Sequence, residues 1–195
     1  MKKLHNGFKK KFLMMSLILL AVFSLSFFFD MAIASSISSL QKTWINNFMI
    51  MVSYTGSSFL IILLSSCLLF HDRKKMFFSW LSFSLTSLAV LIFKVLISRT
   101  RPFQELGLNT IDFMIKNSYY TWNSSFPSFH AALIFSVLPF FKGKIRIFWI
   151  FFACLISFSR LFFAVHYLSD LIAGAVMGLS TGFIIINLFH LRKRI

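Results

Sequence analysis

Arg160, His166 and Asp170 fall within Ser159–Asp170, a stretch that otherwise reads as membrane span. An ionisable side chain in hydrocarbon costs roughly 2.5–3.5 kcal/mol even on lenient insertion scales, so three of them close together imply a polar site walled off from lipid. His166 and Asp170 are four apart. On a helix they share a face and can hydrogen-bond. A carboxylate behind an imidazole fixes its tautomer and leaves the other nitrogen free for chemistry.

Two further blocks carry chemistry-bearing residues. Lys94-Val95-Leu96-Ile97-Ser98-Arg99-Thr100-Arg101-Pro102 sets Lys94 and Arg101 seven apart, two helical turns, so both face one point if the helix continues. Pro102 turns the chain. Pro127-Ser128-Phe129-His130 precedes an apolar run. A proline there pre-sets helical dihedrals, and the free amides of a helix start form an anion site. Lys94, Arg101 and Arg160, with the Ser128 hydroxyl, free amides and two histidines, suit a phosphoryl group, whose oxygens carry charge through displacement. Two histidines suit double displacement: one attacks phosphorus, and the other protonates the departing oxygen and later activates water.

The elements that must position these groups are transmembrane helices. Of the 195 residues 58% are hydrophobic and only 13% charged, which excludes an ordinary soluble domain. Six apolar segments can be marked, at about 12–34, 47–70, 77–98, 128–141, 147–164 and 168–191. Most approach the roughly 20 residues a spanning helix needs. The fourth is short and must start at the membrane surface or be lengthened by the loop before it. The expected fold is therefore all-α, one polytopic domain over residues 1–195, a six-helix bundle with an outward-facing interfacial loop.

The net charge of +15 is gathered in Lys2–Lys11, Arg73–Lys75, Lys142–Arg146 and Arg192–Arg194, each flanking an apolar segment. That is the signature of cytoplasmic loops and not of a nucleic-acid groove, for which no stacking platform accompanies the charge. Both termini are thus expected inside a cell (inner or plasma) membrane, with the three blocks at the outer face. Ala32-Ile33-Ala34 also resembles a secretory cleavage site, but the apolar run before it exceeds a usual signal core, and an uncleaved first span is expected. Residues Phe103–Phe126 mix aromatic, aliphatic and polar residues as an interfacial segment does, either a packed cap or a lipid gate.

With these residues in place, the chain resembles the type 2 phosphatidic acid phosphatase superfamily. The family signature is lysine, six residues, Arg-Pro; then Pro-Ser-Gly-His; then Ser-Arg, five residues, His, three residues, Asp. Lys94, Arg101 and Pro102 match the first part, Pro127, Ser128 and His130 the second, and Ser159, Arg160, His166 and Asp170 the third. The resemblance implies that His166 is the nucleophile, Asp170 its orienting partner and His130 the general acid. It implies phosphate binding by Lys94, Arg101, Ser128, Arg160 and the backbone of Phe129, with no metal or other cofactor. Phe129 stands where the family usually has glycine, and its bulk bears on pocket width and lipid choice. The implied substrate is a membrane lipid phosphate presented by the bilayer. Undecaprenyl diphosphate comes first, with phosphatidylglycerophosphate, phosphatidic acid and lipid A phosphates as the others. A lipid phosphotransferase would use the same residues, and a non-catalytic lipid-binding or transport protein is the reading from another class.

Residues outside the motif read more plainly. Arg99 reads as a loop charge, and Asp30, Glu105 and Asp112 as solvated or interfacial. His5, His71 and His190 lie beside basic clusters and read as surface residues, and Cys67 and Cys154 as small hydrophobes. Taken singly, Lys94 could snorkel, His130 and His166 could be satisfied interior histidines, and Asp170 could be a structural partner of Arg160. Their joint spacing argues against that.

Overall fold

In a computed structural model the residues described are 21, 23–108 and 124–189. They form α1 (Phe23–Ser38), α2 (Thr43–Thr55), α3 (Ser58–Leu69), α4 (Arg73–Leu96), the single turn α5 (Pro102–Glu105), α6 (Phe129–Val137) running into a 3-10 turn (Leu138–Phe140), α7 (Gly143–Phe162) and α8 (Leu168–Leu188). The described residues are all-helical, without a strand. The expectations for the interfacial segment over 109–123 with Asp112, for His5 and His190, and for the terminal basic clusters lie outside the described residues.

Three helices, α4, α7 and α8, are long and apolar enough to cross a membrane, or four if α2 and α3 count as one span. The segment read as one span over 47–70 is in fact bent by 65° between α2 and α3. The reason is a close contact with α7. Gly56 ends α2, and a Cβ there would stand 2.6 Å from Ile156 Cγ2, so the backbone leans directly on α7. Ser57 then starts a new helix by accepting a hydrogen bond from the Leu60 amide at 3.4 Å. The Phe129–Phe140 segment holds two short helical pieces, and at 1.5 Å per residue it is about 18 Å long, well short of a ~30 Å hydrocarbon core.

The core is built around that short helix. α6 packs most extensively on α8, and next on α4. Gly174, Gly178 and Gly182 repeat every four residues along α8 and let its backbone lie against Ser128, Ala132 and Ser136 of α6. On the other side Trp149 of α7, fully buried, donates its indole N–H to the Ile134 carbonyl at 2.9 Å. Ser82 of α4 donates to the Ser136 carbonyl at 3.0 Å. The outward faces of the long helices carry exposed Leu88, Phe151 and Phe183, as lipid-facing surfaces do.

Candidate active site

The turn between α7 and α8 presents His166. α7 ends at Phe162, and Ala164 adopts a left-handed conformation at φ 50, which costs an L-residue roughly 1–2 kcal/mol. It is held there by complete burial and by bonds that fold the turn onto the helix end: Ala164 N–H to Leu161 O at 2.9 Å and Val165 N–H to Arg160 O at 3.1 Å. His166 follows two residues before α8 begins, so it and Asp170 do not share a helix face as the spacing predicts. Nor is the direct hydrogen bond made. His166 Nδ1 lies 3.7 Å from Asp170 Oδ2, beyond hydrogen-bond reach, and 2.7 Å from the Ser125 carbonyl. A carbonyl only accepts, so Nδ1 carries the proton and Nε2 keeps its lone pair. The tautomer expected of the carboxylate is set by a backbone oxygen, with Asp170 adding negative charge behind the ring.

Asp170 is fully buried in the first turn of α8, where the helix dipole favours an anion. Its Oδ2 accepts the Tyr167 amide at 2.9 Å and its Oδ1 pairs with Arg99 at 2.7 Å. Its ion-pair partner is therefore Arg99, not Arg160.

The cations come from three directions. Lys94, buried in the last turn of α4, donates Nζ to the Ser124 carbonyl at 2.6 Å. Helix α4 ends at Leu96, so Arg101 does not sit two helical turns above Lys94. An extended strap brings it in, fixed by Arg101 Nη1 to Val165 O at 3.1 Å and Phe103 N–H to Ala164 O at 2.9 Å. Arg160, in the last turn of α7, donates Nη2 to the Ser53 carbonyl at 3.3 Å while its Nε is buried without a partner among the described residues. His130, the second residue of α6, lies within the electrostatic influence of Arg160, His166, Arg101 and Lys94.

The start of α6 completes the cluster. Ser128 N–H donates to the Asp170 carbonyl at 3.0 Å, stapling α6 to α8, while the Ser128 hydroxyl is buried and has no partner among the described residues. Phe129 opens α6 in ordinary helical geometry, and the positive-φ non-glycine residue among those described is Ala164. The family glycine is thus not needed for its backbone here. The Phe129 ring is partly buried against the main hydrophobic cluster.

Two expectations are corrected. Arg99 is not a loop charge: its guanidinium bridges Asp170 and Asp30, at 2.7 and 2.8 Å, and lies over the Tyr167 ring at 4.0 Å. Asp30 is neither solvated nor interfacial but 2% exposed, accepting from the Ser169 amide at 3.0 Å and from the Ser169 hydroxyl. Glu105 and His71 are exposed, as expected.

Burial holds the His166 imidazole down at about 4; Arg101 and Lys94 add to this, while Asp170 opposes it. Its folded value lies below the usual ~6.5, so the ring is neutral throughout the physiological range and gains its proton only as pH falls toward 4. If His166 reacts as a free base, the acid limb of kcat/KM, corrected for the head group's own titration, is expected near pH 4. A corrected limb centred between 6 and 7 would show that the ring is not desolvated in this way.

Comparisons place the chain. The sequence model of the PAP2 superfamily matches residues 75–194, well over half of the chain and all three motif blocks. No curated protein gives a significant match. Among solved structures, LpxE from Aquifex aeolicus superposes with a TM-score of 0.68 at 22% identity, covering 81% of this chain and 94% of that one. A transmembrane PAP2-type phosphatidylglycerolphosphate phosphatase from Bacillus subtilis gives a TM-score of 0.68 at 21% identity, covering 89% of this chain and 95% of that one. With its apolar helices long enough to span a bilayer and its phosphate-suited cluster at their ends, this membrane protein belongs to the PAP2 superfamily.

Proposed function

We propose that the protein is a metal-independent membrane lipid phosphatase working through a phosphohistidine. The observation that carries this is the anchoring of Lys94 and Arg101 on the carbonyls of Ser124 and Val165, the chain neighbours of Ser125 and His166, with His166 Nδ1 tied to the Ser125 carbonyl so that Nε2 is free. In this reading Nε2 attacks phosphorus and the bond to the leaving oxygen breaks. His130 gives that oxygen its proton, then takes one from water as the water displaces His166. Lys94, Arg101, Arg160 and the first amides of α6 hold the phosphoryl oxygens. Among the described residues the buried Ser128 hydroxyl and Arg160 Nε have no protein partner, and both donors suit such an oxygen.

In the same proposal the bundle crosses the cell membrane six times, both termini are cytoplasmic and the site opens to the outer face. The positions of the basic clusters support this orientation. Undecaprenyl diphosphate is the substrate put first, because the three cations named above suit the higher negative charge of a diphosphate over that of a monoester. The fold shared with the Bacillus phosphatidylglycerolphosphate phosphatase supports a phospholipid monoester as the second choice.

The test is phosphate release by purified protein from undecaprenyl diphosphate, phosphatidylglycerophosphate, phosphatidic acid and lipid A phosphates in mixed micelles. Turnover of at least one, inhibited by vanadate, is expected. Absence of phosphate release from all of them, with folded protein, overturns the proposal.

A further inference from the structure

We infer that Asp30 and Arg99 are positioning residues for the reaction, tying the first helix to the carboxylate behind His166. This rests on the reading of His166 as nucleophile. Arg99 bridges two buried carboxylates: Nη1 meets Asp170 Oδ1 at 2.7 Å and Nη2 meets Asp30 Oδ2 at 2.8 Å. Nη1 also donates to the Ser169 hydroxyl at 2.7 Å, and that hydroxyl donates to Asp30. Asp30 Oδ1 takes the Ser169 amide at 3.0 Å. The guanidinium lies over both the Tyr167 and Phe27 rings, 4.0 and 4.4 Å from their centroids.

The geometry leaves Asp170 little freedom. One oxygen is fixed by Arg99 and the other by the Tyr167 amide, and it is that second oxygen that stands 3.7 Å from His166 Nδ1. Asp170 also lies near Lys94 and Arg101, the groups assigned to phosphate. Unrestrained, a buried carboxylate would turn to pair with them and take up phosphate-binding charge. Arg99 occupies Asp170 instead, and Asp30 compensates and orients Arg99. Buried ion pairs repay their desolvation poorly as stabilisers. A network that brings an aspartate from α1 into a membrane protein's interior is more readily explained by what it holds in place.

The experiment is steady-state kinetics of purified full-length Asp30→Asn with whichever panel lipid the wild type hydrolyses. A fall in kcat of about 10- to 100-fold at a KM within about threefold is expected, the range seen for groups that orient a reacting residue's partner. In an Asp170→Asn background the same change should cost less than about threefold, because the two act through one group. A merely structural role would lower activity equally in both backgrounds. Asp30→Asn/Arg99→Met removes both charges together and guards against misfolding from an uncompensated arginine; the same kcat loss is expected. Wild-type kcat in either folded variant, equal losses in both backgrounds, or failure of both variants to fold overturns the inference. So does an intact mass showing that the purified chain begins beyond Asp30. If instead His166→Ala turns over as fast as wild type, it is the phosphatase reading that fails.

Discussion

His166→Ala is expected to abolish lipid dephosphorylation, lowering kcat by at least ~10³-fold, about 4 kcal/mol of barrier. No second nitrogen can replace it. His130 is the second residue of α6 and serves the opposite oxygen in the proposed reaction, whereas Nε2 of His166 is held ready by the bond from Nδ1 to the Ser125 carbonyl at 2.7 Å. Lipid affinity should survive, because Lys94, Arg101 and Arg160 are anchored through the carbonyls of Ser124, Val165 and Ser53 and not through the imidazole. His130→Ala is expected to behave differently. Loss of a general acid costs ~10²–10⁴ and weighs most where the leaving oxygen is a poor one. A monoester expelling an alkoxide should suffer more than a diphosphate expelling phosphate. Stopped-flow measurement of the first turnover separates the two variants. Phosphoenzyme in His166→Ala, or equal damage to both substrate types in His130→Ala, would reverse the assigned roles.

The motif residues were legible because each is an expensive group at a fixed interval in apolar sequence, and those intervals recur in one family. What lay outside the signature was read from position alone. Arg99 stands just beyond the end of α4, where a charge beside a span resembles any loop charge, and its partner Asp30 is 69 residues away. No local pattern joins them. The link between His166 and Ser125 runs through a backbone carbonyl, on which side-chain identity is silent. The bend at Gly56 depends on contact with Ile156, a hundred residues on, so a continuous apolar run over 47–70 read as one straight span. One further signal is local. Gly174, Gly178 and Gly182 stand four apart in an apolar helix, the spacing by which membrane helices approach closely.

That glycine stripe yields the largest expected effect on the scaffold. A Cβ at Gly178 would lie 2.1 Å from the Ala132 carbonyl oxygen and 2.8 Å from the Ser136 amide nitrogen. Both are backbone atoms of α6, so no side-chain rotation relieves the clash, and the helices must separate. Overpacking of this kind costs about 1–3 kcal/mol for one methyl group, and more for a larger side chain. Gly178→Ala is expected to lower the melting temperature in detergent by several degrees, roughly 2–4 °C per kcal/mol for a chain of this size. Gly178→Leu is expected to yield no monodisperse protein, whereas Val176→Leu, on the exposed side of the same helix, should behave as wild type. Activity should fall further than stability in Gly178→Ala. The first residues of α6 carry Ser128 and His130, and Ser128 N–H is stapled to the Asp170 carbonyl at 3.0 Å, where α8 begins beside His166. Prising the helices apart at Gly178 therefore moves the proposed acid relative to the proposed nucleophile, and a displacement of about 1 Å can cost 10²-fold in rate. Wild-type melting and turnover in Gly178→Leu would show that the two helices do not meet through this stripe.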